Sequence, residues 1–315
     1  MLKKAKSPSA KEGYSNMEII RFRYGDKVEK HGPICLALGT FDGFHRGHQE
    51  IIIKTRKKAK NIAGVLLFSN HPKSVLRDKS YPVLMDVEDK ILMADKLGVD
   101  ITYVVEGNKE FFDLTPKEFM EFLSSAIGAT QLVVGEDFRF GKGGEGTPDD
   151  LKSSFDVEVV DLLCSGGKKI SSTSIKSLLQ LGDIKAVNEE LGHPYLLKGK
   201  VVHGFEYGRE LGFPTANLEL FNPYAMPCNG VYFGLIYILG IPHRAVLNIG
   251  TNPTIGKLQE KSVEVHILDF HEDIYGKTAY LYLLDFHRHE SKFSSPEELR
   301  LAIAGDVEWA RKIVY

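Results

Sequence analysis

The stretch "ICLALGTFDGFHRGHQEIII" (residues 34–53) holds a short apolar run, a loop broken by glycines and the opening of a helix. Ile34 to Leu38 has the length and composition of a strand buried on both faces. Gly39, Gly43 and Gly47 punctuate the turn. From about Gly47 the run "HQEIIIKTRKKAK" (48–60) has the spacing of a helix with one apolar face. A buried strand that leads through a glycine turn into a helix is the unit of a parallel α/β sheet, which presents its strand ends to a ligand. His45 and His48 fall at that turn. Helix starts there favour anions. A metal would need two or three more ligands, and no Asp, Glu or Cys lies at helical spacing to complete the set. Phosphate is therefore the better reading; the blander one is a surface histidine beside an ordinary turn.

The same alternation extends outward. Apolar runs at 65–68, 101–105, 131–134 and 157–163 are separated by stretches of helical period. "TPKE" (115–118) places Thr115 at a helix cap, Pro116 in the first turn and Glu118 three residues beyond the cap, and "TPDD" (147–150) repeats the pattern. After about residue 195 helical signals stop for almost a hundred residues. Five apolar runs between Gly, Pro and Asn clusters predict an antiparallel barrel or sandwich. "SSPEELRLAIAGDVEWARKIV" (294–314) then closes the chain as a helix capped by Ser295.

Bulk properties narrow the function. The 315 residues favour two domains. With 40 basic against 42 acidic residues and a net charge of −2, nothing calls for bulk binding to nucleic acid or acidic lipid. Cys35, Cys164 and Cys228 are odd in number and far apart, which reads as reduced thiols in a cytoplasmic protein. The longest apolar run, 231–241, has eleven residues against the ~20 that span a bilayer. Residues 1–16 form a basic lead with no signal-peptide core, expected to be disordered. No heptad stripe demands an oligomer, so oligomeric state stays undetermined.

"GTFDGFHRGH" (39–48) resembles the G-x-F-D-G-x-H-x-G-H motif of bacterial FAD synthetases, a branch of the nucleotidylyltransferases. "FSNHP" (68–72), "VVGEDFRFGKGGEG" (133–146) and "ISSTSIK" (170–176) resemble further segments of that family. The resemblance implies a Rossmann-like domain over 17–187 that transfers an adenylyl group from ATP to FMN. It implies ATP phosphates held by Gly39, Phe41, Asp42, Gly43, His45, His48, Ser171, Ser172, Thr173 and Lys176, and a flavin-side loop with Asp137, Phe138 and Phe140. His45 and His48 would stabilise charge by donating hydrogen bonds. The chain departs from the family at Asn70, where proline is usual, and at Gly144, Ser174 and Lys176, where arginine is usual.

The second half resembles the riboflavin kinase module over 188–315 through "GKVVHGFEYGRELGFPTANLEL" (199–220). Thr215 and Asn217, two apart on an extended run, point to one side and offer neutral oxygens to a magnesium ion whose other ligands are substrate phosphate and water. Gly204, Gly208, Gly212 and Pro214 would let backbone approach phosphate. "SVEVHILDFHEDIYG" (262–276) resembles the strand that supplies the module's base, and the matching residue is Glu264, between the inward-packing Val263 and Val265. "LNIGTNPTIG" (247–256) reads as a wall of the same site. The expectation is a bifunctional enzyme acting on riboflavin, FMN and ATP to give FAD, with Mg2+. A kinase whose adenylyl half has degenerated and a non-catalytic flavin-binding regulator are the alternatives.

Overall fold

The structure, a computed structural model, describes residues 16–203, 211–251 and 261–314. The amino-terminal lead up to residue 15, Gly204, Gly208 and the end of the 247–256 segment lie outside the described residues. The chain divides into two compact units between Ser174 and Ile175.

The first unit is a six-stranded sheet in which every neighbouring pair is parallel. Its strands are β1 (Glu18–Arg23), β2 (Ile34–Leu38), β3 (Ile62–Phe68), β4 (Ile101–Glu106), β5 (Ala129–Gly135) and β6 (Asp156–Val160), in spatial order β1-β4-β3-β2-β5-β6. Helix α1 (Arg46–Lys58) follows β2, and α2 (Pro72–Arg77) and α3 (Val87–Lys96) lie between β3 and β4. The short α4 (Lys109–Phe112) and α5 (Pro116–Phe122) precede β5, and α6 (Pro148–Leu151) precedes β6. Reciprocal capping boxes start α5 at Thr115/Glu118 and α6 at Thr147/Asp150, as the sequence predicts. Both sheet faces are apolar: Leu36, Leu38, Tyr103 and Leu132 belong to one core, and Ala37, Val65, Val104 and Val133 to the other. Strand order reverses between β2 and β5, so the loops that leave those two strands flank the crevice where an open parallel sheet binds its ligand.

A two-stranded hairpin, β7 (Cys164–Ser165) and β8 (Lys168–Lys169), leads to α7 (Ser172–Leu181), which runs across the division, and then to α8 (Ile184–Leu191). The second unit is a closed antiparallel barrel. Its strands are β9 (Tyr195–Val202), β10 (Ala216–Leu220), β11 (Gly230–Ile238), β12 (Ile241–Thr251), β13 (Lys261–Ile267) and β14 (Thr278–Arg288). Leu197, Val201, Leu247, Ile249, Val263, Val265, Leu281 and Leu283 are all buried and alternate with less buried neighbours, which is how strict period-2 patterning closes a small barrel. The final helix α9 (Pro296–Lys312) caps on Ser295 and packs Val307 and Ala310 against Val231, Phe233 and Val246. Glu298 accepts from the N–H and hydroxyl of Ser294, one residue before the cap. Arg244 reaches across to the carbonyls of Ala310 and Ile313 and satisfies the carboxyl end of that helix.

Candidate active sites

The loop from β2 to α1 is left-handed at Phe41 (φ 49°), Gly43 (φ 83°) and Phe44 (φ 45°). For a phenylalanine that conformation costs on the order of 1–3 kcal/mol and persists only where its surroundings over-determine it. They do so here. Both rings are fully buried, with centroids 5.6 Å apart. A Cβ on Gly39 would sit 3.1 Å from the Phe41 ring, so the glycine is needed for close approach. Asp42 is buried and accepts from the Leu84 N–H at 2.7 Å, while its own carbonyl accepts from the Ser172 hydroxyl at 2.8 Å. Phe41 and Asp42 thus hold the loop from within.

That turn delivers His45 to the N-cap of α1, where its Nδ1 accepts from the His48 N–H at 3.4 Å. An accepting Nδ1 leaves the ring proton on Nε2, making His45 a donor. The His48 ring stacks on it at 3.6 Å and 19°, with the edge of Phe41 5.2 Å away. His48 Nδ1 is buried without a hydrogen-bond partner. Burial pushes the His45 imidazole down to about 4, against the pull of Asp42 and Asp137. His48 is held well below the ordinary imidazole range by burial, then by the charges of His45, Lys90 and Lys169. Both rings are neutral near pH 7. Neutral imidazoles can still donate hydrogen bonds, but they carry no positive charge.

A pH prediction follows from His45. The unfolded chain takes up a proton near pH 6.5 and the folded chain only near 4, so stability is lost as pH falls through that window, by on the order of 3 kcal/mol in total. His45→Asn keeps a capping acceptor without the imidazole. Thermal unfolding from pH 7 to 4.5 should show a smaller loss of melting temperature in the variant; equal losses would refute the assignment.

In the loop after β5, Asp137 and Phe138 reach the surface, whereas Phe140 is buried against Phe119 at 5.3 Å and supports Phe138, which stacks on it at 5.8 Å. Asp137 is ion-paired with Lys169. At the start of α7, Ser171 and Ser174 cap each other: the Ser171 N–H donates to the Ser174 hydroxyl at 2.9 Å and the Ser174 N–H to the Ser171 hydroxyl at 3.1 Å. Ser172 ties down Asp42, and Thr173 is the exposed hydroxyl of the three. Lys176 follows on α7, past the division at Ser174.

In the barrel, strand register does the assembling. Asn217 on β10 pairs with Glu264 on β13, and Glu264 with Asn248 on β12. Their chain neighbours Ala216, Leu218, Val263, Val265, Leu247 and Ile249 are buried inside, so the three polar side chains form a row on the outer face. Thr215 lies one residue before β10 begins and is partly buried, Gly212 turns with φ 85°, and the Pro214 carbonyl is hydrogen-bonded to His266 Nδ1 at 2.9 Å. Glu290, beyond β14, brings Oε1 to 2.5 Å from where a Cβ on Gly250 would stand, and its Oε2 accepts from Asn229 at 2.9 Å. Burial, then the charge of Glu290, raises the proton affinity of Glu264. A hydroxyl and a carboxamide beside a carboxylate are an all-oxygen donor set that fits magnesium. Among the described residues no group of three or more His, Cys, Asp or Glu is arranged to hold a metal.

Comparison with known proteins covers both units. Residues 27–174 match the FAD synthetase family and residues 191–314 the riboflavin kinase family. The bifunctional riboflavin kinase/FMN adenylyltransferase of Listeria monocytogenes is 40% identical over 289 residues, 88% of this chain and 91% of that protein. The chain belongs to the bifunctional riboflavin kinase/FMN adenylyltransferase family. The family member from Bacillus subtilis is 38% identical over 90% of this chain and 93% of its own length. A crystal structure described as a macrolide-efflux protein from Streptococcus pneumoniae superposes with a TM-score of 0.84 at 32% identity, covering 94% of this chain and 100% of that one. Among the described residues no helix is long and apolar enough to cross a membrane.

Three residues of these sites escape sequence reading, and a fourth, Asn248, is legible only as part of the 247–256 wall. Lys90 and Lys169 are ordinary lysines in sequence, and only the fold brings their charges to His48. Asn248 and Glu290 acquire meaning from barrel register, which no local pattern encodes.

Proposed function

We propose that this protein phosphorylates riboflavin to FMN at the outer face of its barrel and transfers an adenylyl group from ATP to FMN at the β2–α1 loop of its parallel sheet, giving FAD. The observation that supports this most is that each unit carries its own candidate site: neutral stacked imidazoles in one, and the Asn217–Glu264 register in the other. A flavin-binding regulator has no need of either, and a kinase alone has no need of the first.

In the barrel, Glu264 takes the proton from the terminal ribityl hydroxyl as that oxygen attacks the γ-phosphorus of ATP, and ADP leaves. Its raised proton affinity makes it a stronger base than a solvated carboxylate. Thr215 and Asn217 would hold Mg2+, which neutralises phosphate charge when bound. Gly212 and Pro214 line the approach. In the sheet unit, an FMN phosphate oxygen attacks the α-phosphorus of ATP and pyrophosphate leaves. His45, through its Nε2–H, and His48, stacked on it, donate hydrogen bonds to the charge that builds on the phosphoryl oxygens. No covalent intermediate is needed. Asp137 and Phe138 are assigned to the flavin side, and Ser171, Thr173 and Lys176 to phosphate. The reaction set belongs to the cytoplasm, where ATP and magnesium are held.

Incubation of the protein with riboflavin, ATP and magnesium, followed by chromatography of the flavins, tests both halves. FMN and then FAD should appear; FMN without FAD would leave only the kinase. The missing arginines predict that FAD formation is the slower step. Lys176→Arg exchanges a point charge for a two-pronged donor and should raise the FMN-to-FAD rate several-fold, about the worth of one added charge-assisted bond. Steady-state kinetics with FMN check this, and a lower rate in the variant would refute it. Ser174 is a poorer place for arginine because its hydroxyl already caps Ser171.

A further inference from the structure

Helix α3 buries a lysine. Lys90 is 5% exposed, its neighbours Ile91 and Ala94 are fully buried core residues, and its ammonium donates to the Thr40 carbonyl at 3.1 Å. Burying an ammonium is costly unless strong polar contacts compensate, and an apolar residue would fill a helix face more cheaply. The carbonyl it grips belongs to the residue before Phe41, the first of the three left-handed residues Phe41, Gly43 and Phe44 of the turn. From the same segment the Leu84 N–H reaches the Asp42 carboxylate at 2.7 Å. The strained turn is thus tied twice to the segment 84–90, once at Thr40 and once at Asp42, and on its other side to Ser172.

We propose that Lys90 is a positioning residue for adenylyl transfer: its buried ammonium pins the Thr40 carbonyl, and so holds the turn that aims His45 and His48 at the phosphate. Without the tie, Phe41 and Phe44 can relax toward ordinary backbone angles, and the N-cap that fixes the His45 ring moves with them. A displacement of about 1 Å at a positioned donor is enough to cost roughly 10²-fold in rate. Lys90 touches no reacting atom in this scheme. The charge has a second consequence in the same direction, since it disfavours protonation of His48.

The inference rests on adenylyl transfer being the work of His45 and His48, so the test carries a separate control for that reading. FMN-to-FAD kinetics are measured in Lys90→Met, which keeps most of the length of the side chain without its charge or donor, and in Lys90→Gln, which keeps an N–H donor. Riboflavin phosphorylation in the same preparations reports on integrity. Lys90→Met should lower kcat for FAD formation about 10- to 100-fold, with KM for ATP changed less than about threefold and FMN formation unchanged. Lys90→Gln should return kcat to within about threefold of the original. Full activity in Lys90→Met, an effect on KM alone, or equal impairment in both variants would overturn the proposal. So would loss of both activities in Lys90→Met beside an unaffected Lys90→Gln, which would make the cation a general stability residue. His45→Ala, run in parallel, must itself depress FAD formation; if it does not, the reading of the site has failed and not the role of Lys90.

Discussion

Glu264→Gln should lower riboflavin phosphorylation by a factor of about 10²–10⁴, the usual worth of a general base, while FAD formation from supplied FMN keeps its rate. The substitution preserves volume and hydrogen-bonding reach, so the outer row of Asn217, residue 264 and Asn248 stays intact. What it removes is proton affinity. In the native protein, burial and the nearby Glu290 raise that affinity above the ordinary carboxylate value of 4.5. The base works only when deprotonated, so phosphorylation should fall as pH drops through a midpoint above 4.5, and the variant should lack that acid limb. Rate–pH profiles of FMN formation for the two proteins, with FMN-to-FAD rates beside them, decide the matter. A fall in both activities, or in neither, would remove Glu264 from the base role.

The same strand shows how far the sequence could be read. Val263, Glu264 and Val265 alternate, and that alone predicts a carboxylate facing away from a packed interior, as found. The direction in which it faces, outward from a closed barrel, depends on six strands meeting in one register, and no window on the chain contains that information. The sheet unit repeats the lesson. Ile34–Leu38 is legible as a buried strand because all five residues are apolar, and the observed strand has those limits. Glu18–Arg23 is not legible in the same way: it lies at the sheet edge, its burial is partial, and its pairing partner is β4, about eighty residues away. His45 and His48 announce themselves by spacing. The buried Lys90 does not, since a lysine on a helix normally faces water, and only the packing of α3 against the loop at Thr40 reverses that expectation.

The largest effect expected in the sheet unit comes from the imidazoles themselves. Preorganised donors to developing charge are worth roughly 2.7–4 kcal/mol each, so His45→Ala or His48→Ala should slow FMN adenylylation about 10²- to 10³-fold and leave riboflavin phosphorylation alone. The two variants should differ in a second respect. His45→Ala also deletes the acceptor that caps α1, a loss of about 1 kcal/mol, and so should lower the melting temperature, whereas His45→Asn restores the cap and separates stability from catalysis. His48→Ala leaves the cap acceptor in place but removes the ring stacked at 3.6 Å against His45, so the remaining imidazole loses a wall that helps to bury it. In that variant FAD formation should also become more sensitive to pH on the acid side as His45 gains solvent and its proton affinity moves back toward the ordinary value of 6.5. Metal analysis of the same preparations separates this electrostatic role from a ligand role. One tightly held zinc per chain, lost in His48→Ala together with activity, would make the pair a metal site, whereas unchanged metal content with the predicted loss of rate leaves phosphate as what the two histidines face.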